Sequence, residues 1–223
     1  MNLSTVIVAH NRLSQLERTI ISWDDCDELL IVDDGSSDGT SEWIREHYPE
    51  AKLIDIPSHP YHNCATARNI GVANATHDML LLQDAEIEHM NDVTKLIYSH
   101  LEQRTGILVT PQAILFEQWG LRPHAWRDSE RYSVIGIHKA DYIAIGGMNE
   151  YYTQWGNEDN EFAVRCEAYG YELITDEQIL TRHLAHKSED GDPERFEKES
   201  KFQGVYAKRL KEGKARPVIK WRH

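Results

Sequence analysis

The sequence predicts an α/β fold with a mostly parallel central sheet and helices on both of its faces. Short apolar runs alternate with segments of helical spacing through the first half of the 223 residues. The runs are apolar at nearly every position, which is typical of parallel strands that are buried on both faces. Hydrophobic residues make up 40% of the chain and charged residues 27%, which is the composition of a globular domain.

Four strands are predicted in the first half. Each is a short run rich in Val, Ile or Leu. They cover residues 3–9, 29–32, 52–56 and 79–82. The last run, Met79 to Leu82, is apolar throughout, and we expect it at the centre of the sheet. A fifth strand is predicted near residues 107–110.

Helices are predicted between these strands. Apolar residues recur every three or four positions from Leu13 to Trp23, which indicates one helix over that range. A second helix begins after a cap at Ser37 or Asp38 and ends before Pro49, because Ser and Asp side chains accept the free N–H groups of a first turn. The other helices are predicted over residues 65–75 and 92–103 and from about Glu158.

Charge and cysteine usage narrow the function classes. The net charge of −13 argues against general nucleic-acid binding. No apolar run approaches the 18 residues of a membrane span. Cys26, Cys64 and Cys166 are odd in number and widely spaced, so we expect reduced thiols and a soluble, cytoplasmic protein. Residues 205–223 carry seven Lys or Arg and one Glu, and this basic tail could contact a surface or an acceptor, or be a solvated end.

Polar side chains follow three of the predicted strands. In parallel α/β sheets, ligands bind beyond the carboxyl ends of the strands. The segments at those positions are Ala9 to Arg12, Asp33 to Gly35, and Gln83 to Glu86. All three are polar, and the edge they share is the predicted binding site.

The Asp33-Asp34-Gly35 segment is suited to binding a nucleoside. Its carboxylates can accept hydrogen bonds from a base N–H or from ribose hydroxyls, although strand-end turn chemistry explains the same residues. Ala9 to Arg12 contains no glycine, which excludes a dinucleotide-binding loop or a P-loop and weakens a nucleotidyltransferase interpretation.

Asp84 and Glu86 are candidate metal ligands. Two carboxylates at positions i and i+2 after a strand can share one divalent cation, and such hard oxygen ligands suit Mg²⁺ or Mn²⁺. The alternative is a solvated acidic turn. His183 and His186 are three residues apart and can ligate one metal from a helical turn or a loop. They do not form the His-Glu-x-x-His motif, so zinc hydrolysis gains no support.

The first half resembles a family 2-type glycosyltransferase with the GT-A fold. The blocks that carry the resemblance are Val6 to Arg12, Ile31 to Thr40, Ala67 to Gly71 and Leu82 to Glu86. The resemblance implies that Ala9, Asn11, Arg12, Asp33 and Asp34 hold a nucleoside, usually uridine. It also implies that Arg68 lies near the diphosphate, and that Asp84 and Glu86 form the metal motif, with Glu86 replacing the usual Asp.

The second half resembles galactosyltransferase-like and polymerising GT-A enzymes. The matching blocks are Gly146 to Glu150 and Trp155 to Glu161. By position, they imply Asp159 as catalytic base, Glu158 as a partner of the acceptor hydroxyl, Trp155 as an acceptor platform and His186 as a metal ligand, with His183 as a second candidate. The alternative explanation is structural, because acidic residues are favoured in a helix's first turn and a Trp can belong to the core.

These implications define one expected function. We expect a single GT-A domain over residues 1–223, with a nucleotide-binding half (1–105), an acceptor-facing half (106–192), and a C-terminal helix and basic tail (193–223). It would transfer a sugar from a nucleotide sugar, usually of UDP, to a glycan or another hydroxyl-bearing acceptor with Mn²⁺ or Mg²⁺. One base without a nucleophile implies inversion at the anomeric carbon. The alternatives are a nucleotidyltransferase on a similar fold and a non-catalytic carbohydrate-binding module.

Overall fold

The computed structural model describes residues 1–23, 25–57, 62–117, 120, 122–124, 133–152 and 158–186. The strands are β1 (Leu3–Ala9), β2 (Glu28–Asp33), β3 (Lys52–Asp55), β4 (Met79–Asp84), β5 (Ile87–His89), β6 (Ile107–Pro111), β7 (Ile114–Phe116), β8 (Arg122–His124), β9 (Val134–His138), β10 (Glu172–Asp176) and β11 (Thr181–His183). The helices are α1 (Leu13–Thr19), α2 (Thr40–His47), α3 (Cys64–Asn74), α4 (Val93–Gln103), α5 (Lys139–Ile145) and α6 (Glu158–Ala168), and a 3₁₀ turn covers Ile20–Trp23.

Seven strands form the central sheet, in the order β10-β6-β9-β4-β1-β2-β3. Only β9 among them runs antiparallel to its neighbours, β4 and β6. A second, smaller sheet has the order β5-β11-β7-β8. The predicted α/β class with a mostly parallel sheet is therefore confirmed.

Helices cover both faces of the sheet because alternate residues of a strand point to opposite sides. Val6 and Val8 of β1 belong to a core cluster that includes residues of α3, α5 and α6. Ile7 and Ala9 belong to another cluster with residues of α1 and α2. Gly71 allows α3 to approach β1 closely, since a Cβ there would lie 2.3 Å from Cγ1 of Val6.

The strand register brings the three predicted binding segments to one edge. Ala9 is the partner of Asp33 in the β1–β2 ladder, and Val8 is the partner of Asp84 in the β1–β4 ladder. The carboxyl ends of β1, β2 and β4 therefore end side by side. This alignment places the polar residues that follow each strand around one site.

Two helix predictions need correction. The predicted helix over residues 13–23 is α-helical only to Thr19 and continues as a 3₁₀ turn, where three consecutive β-branched residues disfavour the α-helix. The next helix begins at Thr40 after Gly39, which adopts a left-handed conformation at φ 91°. Asp38 still contributes, because its carboxylate accepts a hydrogen bond from the Thr40 N–H at 3.2 Å.

The predicted C-terminal helix and basic tail (193–223) lie outside the described residues. Within the described part, no helix combines the length and the apolar character needed to cross a lipid bilayer.

Candidate active site

A cleft opens where β1 and β4 end. The residues that line it are Val8, His10, Arg12, His62, Cys64, Asp84, Glu86 and Glu158. Four of these (Arg12, Asp84, Glu86 and Glu158) are site residues predicted from the sequence. The lining is mostly polar and ionisable, which suits a charged ligand and not an apolar one.

Glu86, His183 and His186 converge on one point beside this cleft. Glu86 lies in the turn between β4 and β5, His183 ends β11, and the antiparallel β5–β11 ladder brings the two segments together. Glu86 Oε1 is 3.2 Å from His186 Nε2 and 3.6 Å from His183 Nε2. The three side chains offer ligand atoms that all lie within 4.8 Å of one another.

The protonation states of this cluster suit metal binding. Burial alone would raise the pKa of Glu86, but the hydrogen bond from His186 and the positive charge of Arg12 help to outweigh it, and the pKa lies well below its usual range. Burial lowers the pKa of His183, although the charge of Glu86 opposes this shift. The lowered pKa favours the neutral imidazole. An ionised carboxylate beside a neutral imidazole is the form in which these groups bind a cation.

The donor set fits a first-row divalent ion. Two imidazole nitrogens and one carboxylate oxygen are compatible with Mn²⁺, whereas Mg²⁺ favours oxygen ligands alone. The ring of His183 stacks on Phe116 with centroids 4.8 Å apart, and its Nδ1 lies 3.0 Å from the Leu184 carbonyl. Nδ1–H therefore donates to that carbonyl, which leaves Nε2 as the ligand atom.

Asp84 does not join this cluster. Its Oδ1 accepts a hydrogen bond from Arg68 Nη2 at 2.5 Å, and Arg68 Nη1 lies 3.4 Å from Glu158 Oε1. Arg68 is only 2% exposed, so its charge is balanced by these two carboxylates and not by water. The arginine thus links the metal-motif strand to the first turn of α6, and its predicted position near a diphosphate stays a prediction.

Asp159 follows Glu158 in the first turn of α6. Burial and the negative charge of Glu158 raise the pKa of Asp159, and Arg68 only partly opposes this rise. The helix itself is anchored by Arg165, which is fully buried, pairs with Glu161 at 2.7 Å and donates to the Ile145 carbonyl at 3.0 Å. The predicted base therefore lies in the first turn of a helix that Arg165 anchors through Glu161 and the Ile145 carbonyl.

The residues predicted to hold a nucleoside lie at the ends of β1 and β2. Asp34 N–H donates to the Ala9 carbonyl at 2.8 Å, which joins the two strand ends. Asp33 Oδ1 accepts from the Ser36 N–H at 2.9 Å. Asn11 Oδ1 accepts from the Ser37 N–H at 2.8 Å, and Asn11 has a φ of 52°. These bonds order the turn, which strand-end turn chemistry alone would also explain. The nucleoside-binding role of these residues stays a prediction.

The sequence patterns assign no role of their own to His10 and His62. His10 Nδ1 donates to the Asp34 carbonyl at 2.6 Å, and His62 Nδ1 donates to the Asp34 carboxylate at 2.8 Å. The two rings stack with centroids 5.3 Å apart. The position of His10 inside the first block could have drawn attention to it. His62 carries no comparable signal, because only the fold brings it to Asp34.

Asn69 connects α3 to the Gly146 to Glu150 block. Its Nδ2 donates to the Met148 carbonyl at 2.9 Å, and its Oδ1 accepts from the Met148 N–H at 2.8 Å and from the Tyr142 hydroxyl at 2.6 Å. Asn69 is fully buried, so these bonds fix the block relative to Arg68. Trp155, the predicted acceptor platform, lies outside the described residues.

Comparison with known proteins defines the class. The sequence pattern of Glycosyl transferase family 2 matches residues 4–166, and the chain belongs to that family. The matched range contains the strand-end blocks and the first nine residues of α6.

Individual relatives are more distant. The chain is 36% identical over 66 residues to N-acetyl-beta-glucosaminyl-glycoprotein 4-beta-N-acetylgalactosaminyltransferase 1 of Mus musculus. These residues are 29% of this chain and 6% of that protein. It is 28% identical over 131 residues to beta-1,4-galactosyltransferase 2 of Cricetulus griseus, and the match covers 56% of this chain and 33% of that protein. The chain thus matches a third or less of the length of either relative.

A solved structure confirms the fold. The crystal structure of GalNAc-T7 with UDP, GalNAc and Mn²⁺ is similar with a TM-score of 0.71 at 16% identity, over 96% of this chain and 50% of that one. At this identity the likeness establishes the GT-A fold alone.

Proposed function

We propose that the chain is an inverting, divalent-metal-dependent glycosyltransferase that transfers a sugar from a nucleotide sugar to an acceptor hydroxyl. The observation that supports this most strongly is the convergence of Glu86, His183 and His186 beside a cleft that Asp84 and Glu158 also line. Membership of Glycosyl transferase family 2 supports the reaction class.

Glu86, His183 and His186 would hold the metal ion, and Mn²⁺ suits their nitrogen-containing donor set better than Mg²⁺. A cation bound there would offset the negative charge of a diphosphate as it leaves. Mn²⁺ and UDP are both present in the GalNAc-T7 structure, which supports this choice of ion and of UDP as the nucleotide. Asp84, kept in its ion pair with Arg68, would face the donor from the same cleft.

The nucleotide-binding half would hold the donor through Ala9, Asn11, Arg12, Asp33 and Asp34, and Arg68 would lie near its diphosphate. The carboxylates of Asp33 and Asp34 at the end of β2 can accept hydrogen bonds from a base N–H and from ribose hydroxyls. Arg12 Nε lies 3.7 Å from Glu86 Oε2, so this guanidinium connects the nucleoside side to the metal cluster.

Asp159 would act as the base. It takes the proton of the acceptor hydroxyl, whose oxygen attacks the anomeric carbon while the bond to the diphosphate oxygen breaks. The raised pKa of Asp159 is closer to neutral pH than that of an ordinary aspartate, and this is the range in which a general base works best. Glu158 would orient the acceptor hydroxyl and Trp155 would contact the acceptor sugar. Direct displacement from the opposite face inverts the anomeric centre.

The remaining parts of the proposal concern the whole chain. Residues 106–192 would face the acceptor, a glycan or another hydroxyl-bearing molecule, and the basic tail could contact that acceptor or a surface. The cytoplasmic location stays a prediction from the three cysteines, all of which are unpaired.

Screening nucleotide sugars for thermal stabilisation, with Mn²⁺ present, tests the proposed function. A UDP-sugar at about one hundred times its Kd should raise Tm by roughly 5–10 °C, because binding to the folded state alone stabilises by about 2.7 kcal/mol. Stabilisation by nucleoside triphosphates instead would favour a nucleotidyltransferase. Stabilisation by free glycans without any nucleotide would favour a carbohydrate-binding module.

The two histidines should contribute unequally to metal binding. His186 Nε2 is closer to Glu86 Oε1 than His183 Nε2 is, so His186→Ala should weaken Mn²⁺ binding more than His183→Ala. We expect at least about a ten-fold increase in Kd for His186→Ala, the lower end of what even outer-shell partners contribute. Calorimetric Mn²⁺ titrations measure both values. The opposite order would make His183 the principal imidazole ligand, and no effect in either variant would make both residues structural.

A further inference from the structure

The helix α1 and the 3₁₀ turn after it are hydrogen-bonded to the segment that carries Glu86 (residues 85–89). Three side chains of α1 and the turn contact the backbone of this segment, at residues 85, 87 and 89. Thr19 Oγ1 donates to the Ala85 carbonyl at 2.7 Å, Trp23 Nε1 donates to the Ile87 carbonyl at 3.0 Å, and Ser22 Oγ accepts from the His89 N–H at 3.0 Å. Glu86 therefore lies between two residues, Ala85 and Ile87, whose carbonyls accept hydrogen bonds from α1 and from the turn that follows it.

The same helix reaches the segment that carries His186. Gln15 Nε2 donates to the Ala185 carbonyl at 3.0 Å. The Ala185 N–H donates to Glu117 Oε2 at 2.9 Å, and Arg18 of α1 pairs with the other oxygen of Glu117 at 2.9 Å. One helix thus contacts the residue before Glu86 and the residue before His186.

The bonds to the Glu86 segment lie in the protein interior. Thr19 is fully buried and Trp23 is 1% exposed. The Ala85 carbonyl is the nearest acceptor to the Thr19 hydroxyl, whose contacts with the Gln15 and Leu16 carbonyls are longer, at 3.1 and 3.5 Å. Removing either donor would leave a buried carbonyl without that partner, which disfavours the observed backbone position.

The two ligands Glu86 and His186 are far apart in the chain, and the β5–β11 ladder and the Leu184 N–H, which donates to the Glu86 carbonyl at 2.9 Å, bring their segments together. Neither Gln15, Thr19 nor Trp23 is among the residues that line the cleft. Their hydrogen bonds go to main-chain carbonyls, so they would act on a bound ion through the backbone that they hold.

We propose that α1 and the 3₁₀ turn after it position the metal centre, with Thr19 and Trp23 fixing Glu86 and with Gln15 fixing His186. The β5–β11 ladder brings the two segments together, and the hydrogen bonds from α1 and the turn would hold residues 85 and 185 in the positions from which Glu86 Oε1 and His186 Nε2 approach to 3.2 Å. This inference rests on the proposed metal-binding function of those two residues. Gln15, Thr19 and Trp23 are positioning residues, since their hydrogen bonds to these two segments go to main-chain carbonyls.

The Thr19 hydroxyl can be removed and restored in variants of the full chain. Thr19→Val keeps the shape but loses the donor, and it should raise the Kd for Mn²⁺ about ten-fold, as outer-shell partners do. Thr19→Ser keeps the donor and should retain most of the affinity. Thr110→Val on β6 replaces another fully buried threonine and should lower Tm without changing the Mn²⁺ affinity. Calorimetric titration and thermal unfolding give both quantities for each variant.

Gln15 provides a test that does not depend on a buried substitution. Gln15→Ala should weaken Mn²⁺ binding in the otherwise unchanged protein, whereas Glu17→Ala, an exposed neighbour on the same helix, should not. In the His186→Ala background, Gln15→Ala should have no further effect, because its action passes through His186. Thr19→Val should still weaken the residual binding there, because it acts through Glu86.

Two results would overturn the positioning role. One is unchanged Mn²⁺ affinity in both Thr19→Val and Gln15→Ala. The other is a Gln15→Ala effect of equal size with and without His186. If the unsubstituted protein fails to bind Mn²⁺ at all, the proposed function fails instead, so the two failures are distinguishable.

Discussion

Asp159→Asn should lower kcat by about two to four orders of magnitude, the range expected for losing a general base. Asn has nearly the same shape as Asp but cannot accept a proton at neutral pH. Because Asp159 is proposed to act on the acceptor, the affinities for UDP and Mn²⁺ should stay near those of the unsubstituted protein. Steady-state rates with saturating donor, compared with calorimetric affinities, separate the two effects.

Glu158→Gln is the matched control for this substitution. Glu158 is proposed to orient the acceptor, so its change should mainly raise the acceptor KM, with a smaller effect on kcat. The two residues cannot both be the base, since successive positions of a helix point about 100° apart. Full activity in Asp159→Asn with loss in Glu158→Gln would reverse the assignment, and activity in both would remove α6 from the chemistry.

The pH profile gives a second signature of Asp159. The base must be ionised, so the rate should fall as pH drops through its pKa, and the raised pKa places that fall above the range of an ordinary aspartate. The residual rate of Asp159→Asn should lack this acid limb. Measurements at saturating Mn²⁺ at each pH are needed because protonation of the histidines also weakens metal binding.

Glu86→Gln should abolish most of the metal-dependent affinity for UDP while leaving the fold intact. Glu86 is the one carboxylate of the ligand cluster, and a neutral amide cannot supply its charge. We expect a loss of at least about 100-fold in Mn²⁺ affinity, since even outer-shell changes reach that size. Circular dichroism and thermal unfolding verify the fold.

Glu88→Gln controls for the change in charge. Glu88 lies two residues further on, in β5, and its carboxylate pairs with Arg182 and not with the histidines. Its substitution should leave Mn²⁺ affinity near that of the unsubstituted protein. An equal loss in both variants would mean that long-range charge, and not ligation by Glu86, governs binding.

The sequence predicted the first half of the fold well. Strands 3–9, 29–32, 52–56 and 79–82 match β1 to β4 closely because apolar runs between polar segments are a strong local signal. The smaller sheet was not predicted, since β5, β7, β8 and β11 have three residues each and show no periodicity. Strands β9 and β10 were not predicted either, and the antiparallel direction of β9 depends on its connections, which the sequence pattern does not show.

The sequence named the side chains of the candidate site, whose roles stay predictions, but not which of them lie together. Glu86, His183 and His186 converge in the structure, whereas Asp84 is paired with Arg68. Two carboxylates in one short motif look alike in a sequence, and only the surrounding charges distinguish them. The positioning contacts of α1 join residues 66 to 170 positions apart, so they could not be read from local patterns.

The binding of UDP in the presence and absence of Mn²⁺ tests the central claim most directly. The carboxylates Asp84, Glu86 and Glu158 line the cleft, and without a cation they should repel a diphosphate. Calorimetric titration of UDP into the full chain should therefore give clear binding with Mn²⁺ and little or none in chelator. Equal affinity under both conditions would contradict a metal-dependent glycosyltransferase.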